Sequence, residues 1–236
     1  MIMKKVQNLK KERKLKKTLQ GCKYTETLIT NMNNEIEEIG IMFHVYDSTE
    51  IALNGFDTSN VTCMYHMFCD CRRVESLELT SFDTSKVTDM GGMFGNCYDL
   101  KSLDVSSFNT SNVVWIDLMF YGCKKITTLD LSSFNTSNVK SMIGMFEDCK
   151  SLKTLDLSSF DTSNVKDMHD MFSGCNKLTS LDVSRFDISN VRCYNNMFDG
   201  CKSLKTLKVK SGTAEWWIAR LNDSKIDAAN VEIIEI

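Results

Sequence analysis

The stretch CMYHMFCDC, residues 63–71, holds the densest set of soft metal ligands in the chain. On a helix Cys63, His66 and Cys69 fall three apart and share one face, and thiolates with an imidazole make zinc or copper chemistry. Two features weigh against such a site. The spacing matches no common zinc motif, and Cys71 belongs to a cysteine column that recurs down the chain. The expectation is no resident metal and no cofactor, with Cys63, His66 and Cys69 the one set to put to a metal test.

Covalent and acid–base chemistry has less to work with. The three histidines, His44, His66 and His169, lie far apart in sequence. No phosphate loop, nucleophile elbow or paired-acid motif is present. No catalytic residue is assigned, and a non-enzymatic chain is expected.

The frame that positions these side chains is a repeat. Phe56, Phe82, Phe108, Phe134, Phe160 and Phe186 fall at an interval of 26 residues. Phe68, Phe94, Phe120, Phe146, Phe172 and Phe198 keep the same step, as do Cys71, Cys97, Cys123, Cys149, Cys175 and Cys201. Met67, Met93, Met119, Met145, Met171 and Met197 form a fourth column. Four columns in register over six units mean a stacked architecture. Within a unit, LKTLDLS alternates like a strand with one buried face. SSFDTSN reads as a polar turn around a buried Phe, and VKDMHDMFSGC has helical spacing. Ser163 or Asn164 would cap that short helix or 3₁₀ turn, and Gly174 suits its exit. One unit alone cannot bury its flat faces against the entropy of ordering its backbone, about 1–2 kcal/mol per residue. Stacked copies can.

The phrase F-[DN]-T-S-N-V-x-x-M-x-x-M-F-x-x-C-x-x-L-x-x-L-x-L-S resembles the BspA-type leucine-rich-repeat surface proteins, most of all the branch abundant in mycoplasma lipoproteins and gut bacteria. The match covers residues 56–211, with Lys86, Ile116, Ile188 and Tyr194 standing outside the pattern. The resemblance implies a leucine-rich-repeat solenoid used for adhesion or protein binding at a cell surface, with no catalytic residue. The chain shows no export signal or wall anchor, so the compartment is not assigned.

The expected fold is therefore α/β: a leucine-rich-repeat-like solenoid with a parallel sheet of about eight short strands on one face and short helices or 3₁₀ turns on the other. Residues 1–23 form a basic arm, 24–55 an N-terminal cap, 56–211 six repeats and 212–236 a C-terminal cap. In the N-terminal cap Leu28, Met32, Ile36 and Ile39 share a helical face that stops at Gly40, and Ile51 and Leu53 repeat the strand. At the far end TAEWWIARLNDSK reads as a helix, and Val231, Ile234 and Ile236 repeat the inward pattern.

Two surfaces are candidates for binding. The residue between the inward pair of each strand points to solvent, giving an acidic row of Glu78, Asp104, Asp130, Asp156 and Asp182, then Lys208. Lys101, Lys153 and Lys205 stand close enough to relieve its self-repulsion. Flanked by Ser and Thr, this strip suits a cationic or hydroxyl-rich polymer, although rows of charge usually just face water. It lacks the aromatic and Arg anchors typical of hot spots. The back side supplies aromatics instead: Tyr65, Tyr98, Trp115, Tyr121 and Tyr194, the last in a core column. The cysteine column reads as buried thiols, with a disulfide ladder as the alternative. The DTSN turns read as side-chain-to-backbone turns.

Charge narrows the partners. Residues 1–23 carry nine Lys or Arg against one Glu, whereas the rest is acidic. A nucleic-acid footprint is confined to that arm, which offers the alternative of a scaffold tethered to an anionic partner, nucleic acid or membrane surface. No apolar run approaches the ~20 residues that span a bilayer. The leading expectation is a scaffold for a protein or glycan ligand.

Overall fold

The computed structural model describes residues 39–51, 53 and 57–236. The basic arm, Leu28, Met32, Ile36 and Phe56 lie outside the described residues. The chain is α/β and built by repetition. A parallel three-stranded sheet runs in the order β1 (Ser180–Asp182), β2 (Thr206–Val209), β3 (Glu232–Glu235). One α-helix, α1 (Ala214–Asp223), and a 3₁₀ turn (Ala228–Asn230) lie between the last two strands.

Three of the eight expected strands are regular strands among the described residues. At the other repeat positions the alternation holds, with Leu77, Leu79, Leu129, Leu131, Leu155 and Leu157 buried around exposed acids. What is missing is the ladder. Cross-unit bonds there reduce to entry contacts such as Lys101 N–H to Glu75 O at 3.0 Å and Lys153 N–H to Thr127 O at 3.0 Å.

The units are joined elsewhere. Phe68, Phe94, Phe120, Phe146, Phe172 and Phe198 stack as parallel rings, with neighbouring centroids 5.7–5.9 Å apart. All six are fully buried. A parallel bridge file runs alongside through Cys63, Asp89, Trp115, Ser141, Asp167 and Cys193.

The segment read as a short helix or 3₁₀ turn is a run of turns and not a continuous helix. The N–H groups of Met64, His66, Phe68 and Asp70 donate to Asp89, Gly91, Met93 and Gly95 of the next unit at 2.7–2.9 Å. Those of Met67, Cys69 and Cys71 turn back to Met64, His66 and Phe68 of their own. Half the donors a helix would use are spent between units, so the chain forms interlocking turns. Each such run places two residues in the left-handed region, for example His66 at φ 55° and Asp70 at φ 60°. Gly174, expected as a helix exit at the equivalent of Asp70, is one of these turn residues at φ 74°. Asn164 does not cap a helix either: its Nδ2 donates to Ser137 O of the unit before, at 2.8 Å.

Two further files complete each joint. The hydroxyl of Thr110, itself buried, accepts from Asn135 N–H at 2.8 Å and donates to Asn135 O at 2.9 Å. Thr58, Thr84, Thr136 and Thr162 repeat this reciprocal rung. The cysteine column is a ladder of thiols. Cys97 Sγ donates to Phe68 O at 3.2 Å, and Cys71, Cys123, Cys149, Cys175 and Cys201 do the same one unit apart.

The ends depart from expectation in two ways. Residues 39–46 are a further copy of the turn run. Phe43 stacks on Phe68 at 5.3 Å, and Ile41 and Val45 take the left-handed positions at φ 56° and 62°. Gly40 begins turns and Ile39 is buried core, while the helical face expected before them lies outside the described residues. At the other end α1 forms as predicted and sets Trp217 against Phe186 and Phe198. Ser224 Oγ accepts from Phe198 N–H at 3.1 Å, in place of the carbonyl a further unit would supply. The register of β3 is one residue off the expected one. Ile233, not Ile234, pairs with Leu207, and Ile236 is 59% exposed. A one-residue slip exchanges the faces of a strand, and only Val231 of the expected inward set is buried.

Candidate functional site

The acidic row is exposed, and its carboxylates are engaged locally. Oδ1 of Asp104, Asp130, Asp156 and Asp182 accepts the N–H of the serine two residues on, at 2.9–3.1 Å. Thr80 Oγ1 donates to Glu78 at 2.6 Å. The Ser106 hydroxyl and N–H hold the Asp104 carboxyl below the usual carboxylate range. The N–H and then the hydroxyl of Ser132 and Ser158 do the same for Asp130 and Asp156. Asp104, Asp130 and Asp156 thus favour the ionised form, and the side chains of the row are held by local bonds. A shallow concavity of about 740 Å³ opens over Thr128, Asp130, Thr154, Asp156, Asp182 and Lys208. Lys208 Nζ approaches Asp182 at 3.8 Å. The expected relief by Lys101 does not occur, because Lys101 pairs with Glu75 at 2.7 Å in a flanking file.

The five aromatic candidates separate. Tyr65 and Trp115 are 45% and 46% exposed. Tyr98 is half-buried, with Lys124 Nζ 3.7 Å and the Arg72 guanidinium 5.4 Å from its ring centre, cations supplied by the units on either side. Tyr194 is occupied by the C-terminal cap, under Arg220 at 3.9 Å and edge-on to Trp216 at 5.6 Å. It is not a free anchor. Tyr121 is half-buried. Tyr65 lies over Gly91 of the next unit, where an added Cβ would meet its ring at 3.1 Å.

The metal-ligand set is regrouped. Side-chain ligand atoms of His44, Cys69 and Asp70 lie within 4.8 Å of one another. Cys63 and His66 are not in that cluster. The i, i+3 logic failed because the segment is turns, whereas stacking sets His44 directly above Cys69, one unit apart. Nδ1 of His44 is buried without a hydrogen-bond partner among the described residues. Asp70 is clamped by Arg72, whose Nη2 and Nε reach Oδ1 at 2.9 and 3.0 Å. Its Oδ2 accepts from Cys69 Sγ at 3.6 Å. Burial, then the Asp70 charge and hydrogen bond, push the Cys69 thiol up to about 12. The His66 ring stacks 3.9 Å from Tyr65 and 6.4 Å from His44. Burial and the neighbouring His44 lower its pKa. Two histidines distant in sequence are thus neighbours, while His169 pairs with Asp170 at 2.6 Å in a later unit.

No helix among the described residues is long and apolar enough to cross a membrane. The family described as "Mycoplasma protein of unknown function, DUF285" matches the chain over residues 13–128, 37–155 and 100–216. No curated protein matches it significantly.

Proposed function

The chain belongs to this Mycoplasma repeat family of unknown function, and on that premise we propose a non-enzymatic scaffold that binds a protein or glycan ligand. Its architecture in this reading is a leucine-rich-repeat-like solenoid of the BspA type, with the sheet positions on one face and the turn runs on the other. The observation that carries the reading is a contrast between columns. Inward positions keep their residue from unit to unit, whereas the bridge file, exposed at Trp115 and Cys193, runs Cys63, Asp89, Trp115, Ser141, Asp167, Cys193. A frame held constant with a face left to vary suits recognition of a partner, because repeats stack on their interiors and bind with their exteriors. Tyr65 and Trp115, half-exposed on the turn side, are the anchors. The acidic strip is a solvated flank.

The test is retention of surface proteins and glycans on the immobilised full chain. Trp115→Ala and Tyr65→Ala should each weaken a retained ligand about 30-fold, the effect of losing a hot spot of about 2 kcal/mol, without lowering the melting temperature. Absence of any retained ligand overturns the proposal. Binding that survives both substitutions but disappears on deleting residues 1–23 transfers the function to the basic arm.

A further inference from the structure

We propose that His44, Cys69 and Asp70 form a three-ligand site for a divalent transition metal of the zinc class, built between two stacked units. The ligand chemistry selects the ion. One imidazole, one thiol and one carboxylate match the N, S and O donors of zinc, whereas calcium and magnesium take oxygen alone. The spacing is close to what is needed. A tetrahedral zinc with bonds of 2.0–2.3 Å sets its ligand atoms roughly 3.3–3.7 Å apart, and these three already lie within 4.8 Å of one another. Small side-chain rotations close the difference.

Three further features concern the same residues. His44 presents a buried ring nitrogen that nothing among the described residues satisfies, and buried polar atoms are rarely left so. Arg72 occupies Oδ1 of Asp70 and leaves Oδ2 aimed at the thiol, the kind of outer contact that orients a metal-binding carboxylate. Finally, Cys69 is not part of the repeated cysteine column. Its equivalents in later units are Gly95, Tyr121, Glu147, Ser173 and Asp199, so stacking gives this position no reason to be cysteine. On binding, the Cys69 thiol proton leaves to solvent and a sulfur–metal bond replaces the S–H bond. Three protein ligands leave a fourth position for water or for a donor from a partner.

The full chain carrying C22S, C63S and C193S removes the other thiols outside the core column. Titrated with Zn²⁺ against a chromophoric chelator, it should bind one equivalent and melt at a higher temperature when loaded. Co²⁺ should give a thiolate charge-transfer absorption that C69S abolishes. C69S and H44Q should each weaken Zn²⁺ binding on the order of 100-fold or more, and D70N by at least ~10-fold, given that even outer-shell losses cost 10–100-fold. Absence of bound Zn²⁺ in chain that melts cooperatively overturns the proposal, as does an equivalent retained undiminished in both C69S and H44Q. Should C69S fail to fold, H44Q decides alone, since its ring nitrogen makes no hydrogen bond that folding would lose.

Discussion

Replacing Thr110 by Val tests whether the threonine file holds the units together. The two side chains have nearly the same shape, so no cavity opens. What changes is the rung: the hydroxyl accepts Asn135 N–H at 2.8 Å and donates to Asn135 O at 2.9 Å, at a site only 2% exposed. Valine leaves that peptide's donor and acceptor unpaired out of water. Each buried unsatisfied group costs about 1–3 kcal/mol, and the added methyl returns about 0.8 kcal/mol, so for the two groups the loss should be about 1–5 kcal/mol. Thr110→Ser keeps the rung and loses only a methyl, about 1 kcal/mol. The assay is urea unfolding followed by circular dichroism, comparing midpoints at unchanged slope. The reasoning is refuted if the serine variant is as destabilised as the valine variant. Ile188 supplies the internal control. It stands in the threonine column, but the chain beyond it turns into α1 and no unit follows. Ile188→Thr should therefore bring no stabilisation.

Three further outcomes follow from the same joints. Val45 is β-branched at φ 62° and 62% exposed; Val45→Gly should relieve about 1–2 kcal/mol of left-handed strain against about 0.5–1 kcal/mol of added chain entropy, raising the melting temperature by up to a few degrees. Ser224→Ala should cost about 1–3 kcal/mol by orphaning the buried Phe198 N–H, and equal stability would show that the end unit needs no such terminator. Burial pushes the Cys149 and Cys201 thiols up to about 12, so both stay protonated in the fold while an unfolded thiol ionises near ~8.5. A raised folded pKa gives stability that is complete below the unfolded value and lost as pH climbs toward the folded one. Urea midpoints should thus fall between about pH 8.5 and 12, with a shallower fall in Cys149→Ala, and a thiol reagent should reach exposed Cys193 long before the column.

How far the sequence could be read follows from where each signal resides. Inward and outward positions are legible because burial repeats every 26 residues, and among the described residues the columns of Phe, Met and Cys are buried as expected. The turn runs read as a short helix or 3₁₀ turn because Met64, Met67, Phe68 and Cys71 keep helical spacing while serving a different backbone. A contrary signal was present. The second left-handed column reads Asp70, Asn96, Gly122, Asp148, Gly174, Gly200, the residue types that tolerate positive φ. Phe43 escaped notice because it precedes Phe68 by 25 residues, off the period. The departures from the repeat now have reasons. Ile188 lacks a following rung, Tyr194 packs under the cap, and Lys86 replaces an asparagine amide with an ammonium that reaches Asn60 at 2.8 Å. Ile116 stays in the core at 1% exposure.

The chemistry of such a chain has to be sought across units, not along them. Residues three or four apart are brought together by a helix, but here the shortest path between side chains runs about one period along the sequence. His44 reaches Cys69, Arg72 reaches Tyr98, Lys101 reaches Glu75 and Asp99 reaches Lys125 by that route. A column whose residues repeat is explained by stacking and carries no further information. Where a column varies from unit to unit, as at Cys69 and Trp115, stacking does not dictate the residue, and such positions are breaks in the repeat. Those two breaks lie on the turn side, away from the acidic strip, so the strip's carboxylates, each closed onto its own serine, are the weaker guide to function.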